Sequence, residues 1–130
     1  YLNEGNLLAV GTDSLSSSPS LDVMEDVALL YKIARAQGYS ESDLARRLLH
    51  AATLGGAVAL GLSTGSQRVG QLQSGAVADM VFFDVPVTTI VDTIEELVQT
   101  GASRQIATVI DGSLRWVDPR FSDIFEGEAQ

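Results

Sequence analysis

Asp13 stands at the end of an apolar run, after Leu7-Leu8-Ala9-Val10-Gly11-Thr12 and before Ser14. Residues 7–10 read as a short buried strand, although so short a run cannot be separated from a helix by periodicity alone. Gly11 and Thr12 form a small-residue corner, which puts the Asp13 carboxylate at the C-terminal tip of that strand. In parallel α/β architectures ligands are handled there, because the loops vary over a fixed scaffold. A carboxylate so placed can give an oxygen to a divalent cation or accept a proton as a general base. It can equally cap a turn or a helix start, and the local sequence leaves both readings open.

Other chemistries find less support. The single histidine, His50, falls inside a predicted helix and reads as a helix-surface or core residue. None of the serines has a His–Asp pair available, so nucleophilic catalysis is unsupported. There is no cysteine, which excludes a thiolate metal site and a disulfide framework. The glycines at 55, 56, 61, 65, 70 and 75 do not follow a phosphate-loop spacing and lack its lysine.

The elements that must position Asp13 read as a helical first half and a strand-rich second half. Residues 14–20 form a serine-rich polar loop containing Pro19. Ser20 is the expected N-cap of a first helix, whose early turns hold Asp22, Glu25 and Asp26 where the helix dipole favours anions. Val23, Val27, Leu30 and Ala34 give it an apolar side, and Gly38 ends it. Ser40-Glu41-Ser42-Asp43 resembles a capping box opening a second helix with Leu44, Leu48 and Ala52 inward. Gly55-Gly56 should break it before a third helix over 57–60. Residues 70–75 alternate between glycines as a short strand and turn, and 79–85 form a strong strand ended by Pro86. Thr89 can cap a helix running to about Gln99. Two β-rich runs, 106–110 and 113–117, are joined by Asp111-Gly112, which predicts a hairpin with a type I′ turn carrying Trp116 as a packing residue. The acidic tail after Asp118 is expected to fray.

Composition sets the outer limits. The chain has 130 residues, 45% of them hydrophobic and 19% charged, which is a globular balance for one ordinary domain. Its net charge of −9, with no basic run longer than Arg46-Arg47, argues against nucleic acid or an anionic membrane as partner. No apolar run approaches the ~20 residues of a membrane span and no signal peptide is visible, so a cytoplasmic location is expected. The start at Tyr1, almost directly in a strand, reads as a piece of something longer.

Gly11-Thr12-Asp13-Ser14, Ser20-Leu21-Asp22, Ala52-Thr53-Leu54-Gly55-Gly56-Ala57 and Ala59-Leu60-Gly61 come in order, then Gly70-Gln71-Leu72-Gln73-Ser74-Gly75, Ala78-Asp79-Met80-Val81 and the Ile110-Asp111-Gly112 turn. In that order, over about residues 6–117, they resemble the C-terminal portion of a metal-dependent amidohydrolase, in the branch of cytosine, guanine and adenosine-type deaminases and triazine chlorohydrolases. The resemblance implies an α/β fold: the C-terminal part of a (β/α)8 barrel, its last strand and helices, plus part of a small β-sandwich. Residues 1–64 would hold that strand and the helices, 65–118 part of the sandwich with an inserted helix, and 119–130 the acidic tail. Asp13 would be the aspartate of the eighth strand, contacting a zinc or iron ion and taking a proton from the metal-bound water, and Ser14 with its neighbours would face a small cyclic nitrogenous substrate. The water would expel ammonia or chloride from a ring carbon.

The family's other ligands are histidines on earlier strands, absent here, and one aspartate cannot hold a catalytic metal. The chain alone should therefore be inactive. An open barrel strand and unpaired sheet edges invite association, so a homo-oligomer is expected. The alternative is a non-catalytic structural or assembly module in which Asp13 merely caps a turn.

Overall fold

Apolar side chains at helical spacing converge from three separate stretches of sequence. The computed structural model describes residues 1–127. Helix α1 spans Val23–Ala36 and α2 spans Leu44–Ala51. A short α3 covers Leu54–Ala59, strand β1 Met80–Phe83 and helix α4 Ile90–Thr100. Strands β2 (Gln105–Ile110) and β3 (Ser113–Val117) follow, then a 3-10 turn over Pro119–Phe121 and a last short helix α5, Ser122–Phe125. Val27 of α1, Leu44 and Leu48 of α2 and Val98 of α4 are the largest fully buried side chains. Met24, Ala34, Tyr39 and Ala45 complete their cluster, and Phe83 packs against it from the sheet. One core therefore joins helices drawn from both halves of the chain.

The sheet is antiparallel in the order β1-β2-β3. The expected hairpin is present: Asp111 (φ 50°) and Gly112 (φ 73°) both lie in the left-handed region that a type I′ turn requires. Its tip is tied to the entry of β1, where Asp79 Oδ1 accepts from the Asp111 amide at 2.8 Å and the Ala78 carbonyl accepts from Gly112 at 3.0 Å. Each strand pairing contains an irregularity, between Phe82 and Phe83 and between Thr108 and Val109. In the second, Trp116 faces Thr108 and Leu114 faces Val109, so Arg115 is the extra residue. The described residues form this single sheet layer, with Trp116 about half exposed on it.

Several expectations are corrected. Residues 7–10 have no regular secondary structure, because no neighbouring strand pairs with them among the described residues. The Val10 amide instead donates to the Ala51 carbonyl at the end of α2, at 3.1 Å. Residues 70–75 form turns rather than a strand, because one side chain takes over the hydrogen bonding. The Arg68 guanidinium donates to the carbonyls of Gly65 (3.0 Å) and Ser74 (2.7 Å) and to Gln73 Oε1 (3.1 Å). Gly55 and Gly56 lie inside α3 instead of preceding it. The capping box before α2 is not formed: Asp43 Oδ1 accepts from the Tyr39 hydroxyl at 2.7 Å instead. The acidic tail is structured as far as described. Asp118 caps the 3-10 turn and chelates the Arg120 guanidinium, which holds its carboxyl below the ordinary value, and Phe125 stacks edge-on against Phe82 at 5.2 Å. Residues 128–130 of that predicted tail lie outside the described residues.

Gly55 fixes how closely residues 7–10 can approach. A Cβ there would lie 2.2 Å from the Leu8 carbonyl oxygen, a distance no side chain tolerates, whereas one on Gly56 would meet nothing nearer than 3.9 Å. G55A should therefore lower the urea unfolding free energy by roughly 1–3 kcal/mol, as overpacking does. G56A, in an open helical position, should raise it by about 0.4–1 kcal/mol. Equal effects of the two substitutions would show that the contact with Leu8 does not constrain the fold.

Candidate functional site

Beyond Thr12 the chain must turn from the apolar run toward α1, and it does so at Asp13, whose φ of 64° is left-handed. Aspartate tolerates this region better than most residues, but a non-glycine residue there still carries backbone strain. The turn closes on one carbonyl: Ser14 O accepts the amides of Ser17 at 3.0 Å and Ser18 at 2.8 Å. This winding brings the Ser17 hydroxyl back onto the Asp13 carboxylate, Oγ to Oδ2, at 2.9 Å. Ser14 Oγ lies 2.7 Å from Ser16 Oγ and 3.2 Å from Ser17 Oγ. Asp13 is solvent-exposed and Ser14 partly buried.

The loop is joined to α1 by further local hydrogen bonds. Ser18 Oγ donates to the Ser20 carbonyl at 2.8 Å, and Ser20 Oγ accepts from the Asp22 amide at 3.1 Å while donating to Glu25 Oε2 at 2.6 Å. Ser20 is thus not the N-cap expected of it. The cap is Asp22, whose Oδ1 accepts from the Met24 amide at 3.0 Å. Its other oxygen reaches across the molecule: Oδ2 accepts from the Ser103 amide and from Gln105 Nε2, each at 3.0 Å. Ser103 is itself left-handed at φ 61°. Asp22 therefore fixes the far end of the Asp13 loop against the connection from α4 to β2. Its place among the early acidic residues of α1 was visible in the sequence; its partners 81 and 83 positions away were not.

The other sequence candidate, His50, is exposed on α2. It lines an open cleft of about 250 Å³ with Leu2, Leu8, Arg46 and Arg47, and neither Asp13 nor its serines belong to that cleft. Among the described residues no group of three or more His, Cys, Asp or Glu side chains could hold a metal ion. Asp13 offers a hard oxygen suited to a divalent cation, but it is one donor where such sites need about three protein ligands. No described helix is long and apolar enough to cross a membrane.

Comparison with known proteins identifies the family of the chain. Residues 1–114 match the model of the amidohydrolase family. The chain is 33% identical over 126 residues to a 5'-deoxyadenosine deaminase of Methanosarcina mazei, covering 92% of this chain and 28% of that protein. It is 34% identical over 115 residues to a 5-methylthioadenosine/S-adenosylhomocysteine deaminase of Halobacterium salinarum, covering 85% of this chain and 26% of that protein. The fold is similar to that of the guanine deaminase of E. coli, with a TM-score of 0.75 and 25% identity over 91% of this chain and 30% of that one. The chain thus spans little more than a quarter of the length of the curated relatives it matches.

Removing the Asp22 carboxylate should be costly, since it deletes a helix cap and strands the Ser103 amide. D22A is expected to destabilise the chain by about 2–4 kcal/mol in urea unfolding. D22N, which keeps one acceptor oxygen, should recover part of the loss. A D22A protein as stable as the parent would show that solvent replaces these bonds without penalty.

Proposed function

The chain belongs to the amidohydrolase family, and from that premise we propose that it forms part of a hydrolase that deaminates a small nitrogenous ring, with Asp13 as metal ligand and general base. The observation that carries this reading is the placement of Asp13: an exposed carboxylate on a strained, left-handed residue, held by its own loop at the end of an apolar run. Ser103 and Asp111 share the left-handed backbone, so what distinguishes Asp13 is its exposed carboxylate held by Ser17, a polar group kept in a strained turn as sites of chemistry keep theirs. The names of the relatives, deaminases of adenosine derivatives and of guanine, point to a purine-like substrate bearing an exocyclic amine.

Asp13 would contribute one ligand to a zinc or iron ion, with the remaining ligands supplied from outside the described residues. When bound, such an ion supplies a water whose pKa is brought toward neutrality. Asp13 would hold one side of that ion and, as general base, would take one proton from the water and hand it to the departing amine, which leaves as ammonia while the water oxygen stays on the ring carbon. Ser14, partly buried and next to Asp13 in the chain, would contact the substrate. On this reading the 130-residue chain alone is inactive and the full-length protein is a metal-dependent enzyme of the cytoplasm.

Ammonia release from 5'-deoxyadenosine, methylthioadenosine and guanine, measured with metal content, tests the proposal on the full-length protein. Turnover with bound zinc or iron is expected, and D13N should lower kcat by about 10²–10⁴-fold, the range for loss of a general base. A full-length protein that binds neither metal and releases no ammonia would favour a structural module.

A further inference from the structure

We infer that Ser17 is a positioning residue for Asp13, its hydroxyl fixing the rotation of the carboxylate and leaving the other oxygen available. The inference rests on the reading of Asp13 as ligand and base. The terminal torsion of an aspartate is soft and roughly two-fold, so an exposed carboxylate has no fixed orientation of its own. Here Ser17 Oγ donates to Oδ2 at 2.9 Å, while Oδ1 has no hydrogen-bond partner among the described residues. A donor to one oxygen selects which oxygen stays free, as the partners of metal ligands do elsewhere.

Ser17 is itself held from three directions. Its amide donates to the Ser14 carbonyl at 3.0 Å, and its hydroxyl also lies 3.2 Å from that carbonyl oxygen. Ser14 Oγ approaches Ser17 Oγ at 3.2 Å and Ser16 Oγ at 2.7 Å. The Asp13 carboxylate and the Ser14 carbonyl can both only accept, and the shorter contact, 2.9 Å against 3.2 Å, gives the Ser17 proton to Asp13. The contact between Ser14 and Ser17 then requires Ser14 to donate, and the contact between Ser16 and Ser14 requires Ser16 to donate. The hydroxyls form a directed chain, Ser16 to Ser14 to Ser17 to Asp13, in which each bond polarises the next toward the carboxylate. Ser14, singled out in the sequence as a substrate contact, acquires a second role as a link in this chain.

The test uses the full-length protein as wild type, S17A and S17T, with zinc affinity from chelator competition and turnover of 5'-deoxyadenosine read separately. Ser17 is exposed, so all three should fold with similar melting temperatures. S17A should weaken zinc binding about 10-fold or more and lower kcat by a similar factor, the range found when a ligand's partner is removed, with KM nearly unchanged. S17T keeps the hydroxyl and should restore both. Unchanged zinc affinity and kcat in S17A, with active wild type, would overturn the role of Ser17 and leave the deaminase reading standing. Equal losses in S17A and S17T would also overturn it, since the hydroxyl would not be the operative group. Weaker zinc binding in S17A alone, with no turnover of 5'-deoxyadenosine, methylthioadenosine or guanine in any variant, would support the positioning role and sink the deaminase reading. A wild type that takes up neither zinc nor iron would sink both.

Discussion

The Asp22 carboxylate is the joint between the two halves of this molecule. One oxygen ends the Asp13 loop by capping α1, and the other holds the Ser103 amide and the Gln105 side chain at the start of β2. An ionised acceptor serving three neutral donors is worth more than ordinary hydrogen bonds, because the charge strengthens each. The bonds also close a long loop, so the docking of the sheet on the helices and the placing of the Asp13 loop depend on the same group. The apolar core lies beneath this joint: Val27, Leu44, Leu48 and Val98 bury the surface between α1, α2 and α4. Ion pairs add little, since the described residues form only two, both partly exposed.

What could be read from the sequence was what local chemistry decides. The Asp-Gly hairpin follows from the need for two positive φ angles, and the Thr89 cap from an oxygen beside a free amide, here accepting from Asp92 at 3.1 Å. The periodic faces of α1 and α2 followed from burial. What could not be read depends on distant partners. Whether residues 7–10 become a strand depends on a neighbouring strand, and whether residues 70–75 do depends on where one arginine reaches. Ser20 and Asp22 compete for the same cap, and the choice between them is tied to a contact more than eighty residues away.

The candidate site divides in the same way. Asp13 was identifiable because a carboxylate at the end of an apolar run is chemically conspicuous. Its left-handed backbone and its bond to Ser17 were not, because serines in a polar loop look alike until the turn is wound. The family resemblance implied a substrate contact for Ser14, whereas the wound turn brings Ser17, four positions beyond Asp13, into contact with the carboxylate.

The irregular pairing in the sheet bears on a different property. With a break in register in each pairing and Arg115 as the unmatched residue, β1 and β3 depart from the flat, regular ladder that a foreign strand needs as a template. The half-exposed Val81, Leu114 and Trp116 would otherwise give these short strands the composition of a fibril-forming segment. A guanidinium placed among them puts a charge where a stacked copy would have to bury it.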